Sequence, residues 1–122
     1  MSGPVRVLVA DDHAVVRTAL SRSLGLYEDV RVIGEAVDGE DAIEQVKRLR
    51  PDVVVMDASM PKLSGIEATR VITATIPDVK IVGLSMHDSD WMARTMIDSG
   101  AVAFIEKSAP YDQLVAAIRS AC

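Results

Sequence analysis

Five short apolar runs, VRVLVA (5–10), VRVIGEA (30–36), DVVVMD (52–57), VKIVGLS (79–85) and AVAFIE (101–106), recur along the chain with amphipathic segments in the gaps. Runs of this length suit buried strands. Regular strand and helix alternation leaves few folds open, because parallel neighbours in a sheet must be joined by a crossover that is usually helical. The gaps agree with helices: Val16, Leu20 and Leu24 fall at i, i+4, i+8 in the first, and Ala42, Ile43, Val46 and Leu49 form a stripe in the second. Leu114, Val115 and Ile118 repeat the pattern after the fifth run. Asp38 and Gly39 turn into the second helix, Pro51 follows its end, Pro77 and Asp78 separate the third helix from the fourth strand, and Pro110 suits the first turn of the last helix. The fourth gap, SDWMARTMIDSG, is the weakest helix: Met92 and Met96 stack at i, i+4, but methionines pack softly.

The first and third runs are the most continuously apolar, as expected of central strands covered on both faces. Right-handed crossovers then predict a doubly wound α/β sheet whose order reverses between strands one and three, with ligands binding outside the carboxyl ends of the strands at that reversal. At 122 residues and 49% hydrophobic the chain is one domain, 1–122, and with only 3% aromatics its core must be aliphatic. A formal charge of -5 without a run of Lys or Arg makes this chain by itself a poor nucleic-acid binder. The lone cysteine, Cys122, excludes an intrachain disulfide. No apolar stretch approaches the ~20 residues of a membrane span and no signal-peptide core follows the N-terminus, so no membrane association and a cytoplasmic location are expected.

Placed on such a sheet, the runs deliver chemistry to one rim. Asp11 and Asp12 follow the first, Asp57 ends the third, Ser85 ends the fourth and Lys107 stands just past the fifth. Three carboxylates held close together repel one another unless one is protonated or a divalent cation neutralises them. Hard oxygen ligands without clustered Cys or His favour Mg²⁺, with Mn²⁺ as the alternative. A carboxylate is also a nucleophile toward phosphoryl groups, giving an aspartyl phosphate, and that reaction needs chiefly in-line positioning and cations on the phosphoryl oxygens. Lys107 opposite the metal would add such a charge, and Ser85 can donate a hydrogen bond to a phosphoryl oxygen.

Through VLVADDH, VVVMDASMPKLSGIEATR, GLSMHD and GAVAFIEKS the whole chain resembles the receiver domain of a bacterial two-component response regulator. GIEATR, LSMHD and LVAAIRSA resemble most the LuxR/NarL-type subfamily. The resemblance implies a flavodoxin-like (βα)5 fold with five parallel strands in the order 2-1-3-4-5 and helices on both faces. It implies Asp57 as phosphoacceptor, Asp11, Asp12, Asp57 and the backbone carbonyl of Ser59 as Mg²⁺ ligands, and Lys107 as the contact to the phosphoryl group. Ser85 would be the switch hydroxyl and Phe104 the switch aromatic. A histidine kinase would be the phosphodonor, homodimerisation an outcome, and DNA a partner only through a C-terminal helix-turn-helix domain. The chain would be the receiver portion of a longer transcription regulator, with a stand-alone receiver as the alternative. It would not be an enzyme, beyond catalysing its own phosphorylation and dephosphorylation.

Plainer readings stand beside these. Asp12 alone would cap the helix beginning near Ala14. Phe104 is equally a core ring, and Trp91 a surface or interface residue. His13 and His87 read as polar surface residues without a site role. Pro61 and Gly65 shape the loop after Asp57. Three rival functions share parts of the pattern: a receiver-like binding module that works without phosphorylation, an aspartyl-phosphate phosphatase, and a flavin module of the same topology. The phosphatase commonly has a second acid two residues after its nucleophile, where this chain has Ser59; the flavin phosphate would meet Asp11 and Asp12.

Overall fold

The computed structural model of the chain describes residues 3–86 and 90–122. Strands β1 (Val5–Ala10), β2 (Val30–Ala36), β3 (Val53–Asp57), β4 (Lys80–Ser85) and β5 (Ala103–Glu106) alternate with helices α1 (Ala14–Gly25), α2 (Gly39–Leu49), α3 (Gly65–Thr75), α4 (Asp90–Ser99) and α5 (Tyr111–Ala121). All strand pairs are parallel and the order is β2-β1-β3-β4-β5, the flavodoxin-like arrangement expected.

Burial follows the apolar pattern. Every residue of β3 is buried, whereas every residue of the edge strand β5 is half-buried. One layer packs Leu8, Val54, Met56 and Ile81 against Ala42 and Val46 of α2, Ala68 and Ile72 of α3, and Met96 of α4. The other packs Val7, Val9, Val55 and Leu84 against Leu20 and Leu24 of α1 and Val115 and Ile118 of α5. Leu114 is buried with them, while Val16, Ile43 and Leu49 flank the two layers.

Boundaries differ from the sequence expectation where backbone geometry overrides hydrophobicity. β5 begins only at Ala103: Gly100 takes a left-handed φ of 122° and the Ala101 amide folds back to the Met96 carbonyl at 3.0 Å, closing α4, and the first bond to the sheet is that of the Val102 amide to the Ile81 carbonyl at 2.8 Å. Asp52 lies outside β3; its carboxylate accepts from the Arg6 amide at 2.9 Å. β4 starts at Lys80, one residue later than expected. Pro110 is the N-cap of α5, one place before the first turn. Asp38 caps α2 by accepting from the Asp41 amide, and Ser64 caps α3 by accepting from the Glu67 amide.

On α4, Met96 is fully buried and Trp91 is 66% exposed. Gly83 pairs with Phe104 across β4 and β5, and a Cβ at residue 83 would stand 2.7 Å from Met96 Cε and 3.0 Å from Phe104 Cδ1. The missing side chain is what lets both reach the sheet. The opposite rim is closed by charge. Arg6 donates from Nη1 and Nη2 to the last carbonyls of α2, Arg50 O at 2.7 Å and Leu49 O at 2.8 Å, and Arg119 grips both oxygens of Asp29 at 2.6 and 2.9 Å. Among the described residues no helix is long and apolar enough to cross a membrane.

Candidate functional site

The reversal between β1 and β3 places Asp11, Asp12 and Asp57 side by side at the carboxyl rim, as the strand order requires. Asp11 is fully buried and Asp57 is 3% exposed. Lys107, one residue past β5, sets its Nζ 2.7 Å from Asp11 Oδ2 and 3.2 Å from Asp57 Oδ2. The Lys107 amide donates to the Ser85 carbonyl at 2.8 Å, so the serine and lysine are tied through the backbone. Ser85 is buried and lies one residue beyond Leu84, the register partner of Asp57.

The loop after β3 is drawn tight around Asp57. The Ser59 amide donates to Asp57 Oδ1 at 3.2 Å, and the Gly65 amide donates to the Ala58 carbonyl at 3.0 Å. A Cβ on Gly65 would fall 1.8 Å from the Asp57 carbonyl oxygen, so only glycine lets α3 begin against the end of β3. The expectation that Gly65 shapes this loop is met by a steric requirement.

Burial pushes the Asp57 carboxyl above its ordinary value; the Lys107 charge opposes this and the neighbouring Asp11 reinforces it. Burial alone would lower Lys107, but its bonds and charge interactions with Asp11 and Asp57 outweigh that, and the ammonium is held above its ordinary value. One protonated lysine therefore faces two buried carboxylates, with a third at Asp12. Asp12 Oδ1 is buried and makes no hydrogen bond among the described residues, although His13 Nδ1 lies 3.3 Å away. Ligand atoms from Asp11, Asp12, His13 and Asp57 lie within 4.8 Å of one another. This excess of hard oxygen donors over the one ammonium fits Mg²⁺.

Of the residues expected at the site, Asp11, Asp12, Asp57 and Lys107 converge, Ser85 borders them, and Ser59 meets Asp57 through its amide. Phe104 is half-buried against the layer formed with α2, α3 and α4. Asp12 is not the cap of α1: that position is His13, whose side chain makes no cap bond. His13 is exposed, as expected of a polar surface residue, and sets Nδ1 3.2 Å from Asp11 Oδ1 and 3.3 Å from Asp12 Oδ1. Its adjacency to the acidic pair in ADDH was the available signal. His87 lies outside the described residues. Arg17 and Glu35 also border the site, Arg17 Nη1 donating to the Asp11 carbonyl at 2.8 Å and Nε to Glu35 Oε1 at 2.9 Å. They are far apart in sequence and meet only because β2 lies beside β1.

The family model of the response regulator receiver domain matches residues 7–119. The response regulator GacA of Pseudomonas aeruginosa is 39% identical over 115 residues, covering 94% of this chain and 54% of that protein. The oxygen regulatory protein NreC of Staphylococcus carnosus is 41% identical over 117 residues, covering 95% of this chain and 54% of that protein. The chain thus spans about half the length of the curated relatives it matches. Among solved structures, the signal receiver domain of the response regulator NarL from Mycobacterium tuberculosis superposes with a TM-score of 0.92 at 31% identity, over 98% of this chain and 96% of that one. A LuxR-family two-component response regulator from Aurantimonas superposes with a TM-score of 0.91 at 32% identity, over 97% and 84%.

Proposed function

This chain belongs to the response regulator receiver family, and on that premise we propose that it is a phosphorylation-controlled switch in which Asp57 accepts a phosphoryl group from a histidine kinase. The observation that carries the reading is the convergence on one buried carboxylate, Asp57, of a lysine at 3.2 Å and of the Asp11–Asp12 pair with unmet demand for a cation. An oxygen of Asp57 attacks phosphorus as the bond from phosphorus to the kinase imidazole breaks, and the electron pair leaves on that imidazole nitrogen. Lys107 contributes positive charge to the phosphoryl oxygens. Asp11, Asp12, Asp57 and the backbone carbonyl of Ser59 would hold Mg²⁺, or Mn²⁺ in its place, which would supply further positive charge there.

Ser85 then donates its hydroxyl to a phosphoryl oxygen, and Phe104 turns into the space it leaves, altering the face formed by α4, β5 and α5. The pair sits where such a coupling can work: β4 and β5 bring Phe104 beside Gly83, two residues before Ser85. Residues 1–122 form the receiver domain, and the output, homodimerisation or transcription control through a C-terminal helix-turn-helix domain, belongs to a longer regulator. The reading places it in the cytoplasm with its kinase. The domain catalyses no reaction other than its own phosphorylation and dephosphorylation.

Intact-protein mass after incubation with Mg²⁺ and acetyl phosphate tests this, beside an EDTA sample and Asp57→Asn. Gain of one phosphoryl group that needs both metal and Asp57 is expected. No gain, with a second small donor also failing, would replace phosphotransfer by a binding role independent of phosphorylation.

A further inference from the structure

Carboxylates crowded in the Asp11–Asp12 turn repel one another, so their backbone must be restrained from outside. Both peptide groups flanking Asp11 are pinned. Its amide donates to the Ala36 carbonyl of β2 at 3.0 Å, and its carbonyl accepts from Arg17 Nη1 at 2.8 Å. Arg17 is itself fixed: its side chain is only 16% exposed, and its Nε donates to Glu35 Oε1 at 2.9 Å. Glu35 stands opposite Val9 in the β1–β2 register, and its carbonyl accepts from Gln45 Nε2 of α2 at 2.6 Å. The guanidinium thus spans two acceptors in different directions, which a lysine ammonium at the end of a flexible stem does not reproduce.

We propose that Arg17, oriented by Glu35, is a positioning residue of the metal site: it locks the peptide between Asp11 and Asp12 so that their carboxylates converge before a divalent cation arrives. The inference rests on reading this cluster as the divalent-cation site. Its sign separates it from simple electrostatics. A guanidinium beside an acidic pair repels a metal ion, so if charge alone mattered, removing it would tighten binding. If positioning matters, removing it weakens binding, as losing outer partners of metal ligands commonly does by ten-fold or more.

The test is titration of Mn²⁺ alone into the full chain, with free Mn²⁺ read by electron paramagnetic resonance, for the natural sequence, Arg17→Gln, Arg17→Lys and Glu35→Gln. Arg17→Gln is expected to bind about ten-fold more weakly. Arg17→Lys, with the charge kept, is expected to recover only part of the loss, and Glu35→Gln to add little in the Arg17→Gln background. Equal or tighter binding by Arg17→Gln overturns the inference and leaves the receiver reading standing, whereas absence of Mn²⁺ binding by the natural sequence overturns both. Should Arg17→Gln not fold, the lysine variant decides: binding equal to that of the natural sequence overturns the proposal. A metal-free readout is hydrogen exchange of the His13 amide, which donates to Asp11 Oδ1 at 2.9 Å. Faster exchange in Arg17→Lys at matched global stability is expected, and an unchanged rate counts against the proposal.

Discussion

Where the strands begin, each of these charged groups has a partner of its own: Asp52 accepts from the Arg6 amide, the Arg6 guanidinium closes the end of α2, and Arg119 holds both oxygens of Asp29 while lying 5.7 Å over the Tyr27 ring. Where the strands end, Asp11, Asp12 and Asp57 crowd together and Lys107 is the ammonium that answers them. The same residue types are used at both ends. At one they are exposed and paired, and at the other two buried carboxylates and the half-buried Asp12 outnumber one ammonium, an excess that protonation of one carboxyl or a bound cation relieves. The first rim is built for the fold and the second against it.

The contrast should break most sharply at Lys107. Lys107→Met leaves two buried carboxylates without their cation and is expected to cost about 3 kcal/mol in metal-free urea unfolding at neutral pH. The loss should shrink in saturating Mg²⁺ and in acid; a loss independent of both would mean that lost packing is the cause. Gly65→Ala comes next at about 2 kcal/mol, because the new Cβ meets the Asp57 carbonyl oxygen, and it should also slow phosphorylation by acetyl phosphate.

Asp57→Asn should go the other way. Burial and Asp11 hold the Asp57 carboxyl above its ordinary 3.8, so the folded chain keeps that proton to higher pH than the unfolded chain does. Stability is therefore lost as pH rises from 3.8 through the raised folded value, and the penalty is fully present above it. The asparagine variant, in EDTA, should melt higher than the natural sequence at neutral pH. The gain should vanish below pH 3.8; a gain unchanged across pH would refute the titration argument. At the opposite rim, Arg119→Ala should leave the melting temperature within measurement error despite its good geometry, because solvent screens exposed ion pairs. A large loss there would erase the distinction between the rims.

Much of this was legible in the sequence. β1 and β2 are bounded as their apolar runs are, and the residues at the strand ends meet because parallel strands in this order leave them no other place. What was not legible depends on angles and on distant neighbours. Ala101 is as apolar as a strand residue, but the left-handed turn at Gly100 sends its amide back to α4, and β5 begins only at Ala103. The Arg17–Glu35 pair joins a helix to a strand 18 positions away, and no local pattern announces a guanidinium that reaches a carbonyl. The exposed position of His13 is what its sequence suggests, whereas its distances to two carboxylates are visible only in the fold.

Trp91 is the chain's one tryptophan and stands mostly in solvent on α4, away from the acidic cluster in sequence. Its fluorescence, excited selectively over Tyr27 and Tyr111, is consequently a native optical probe of that helix's surroundings. Recorded in a rapid-mixing experiment beside the mass-based count of phosphoryl groups, the emission would time the response of α4 separately from the arrival of phosphate at Asp57. Two clocks in one molecule, obtained without a label, would reveal whether chemistry and rearrangement happen together or in sequence.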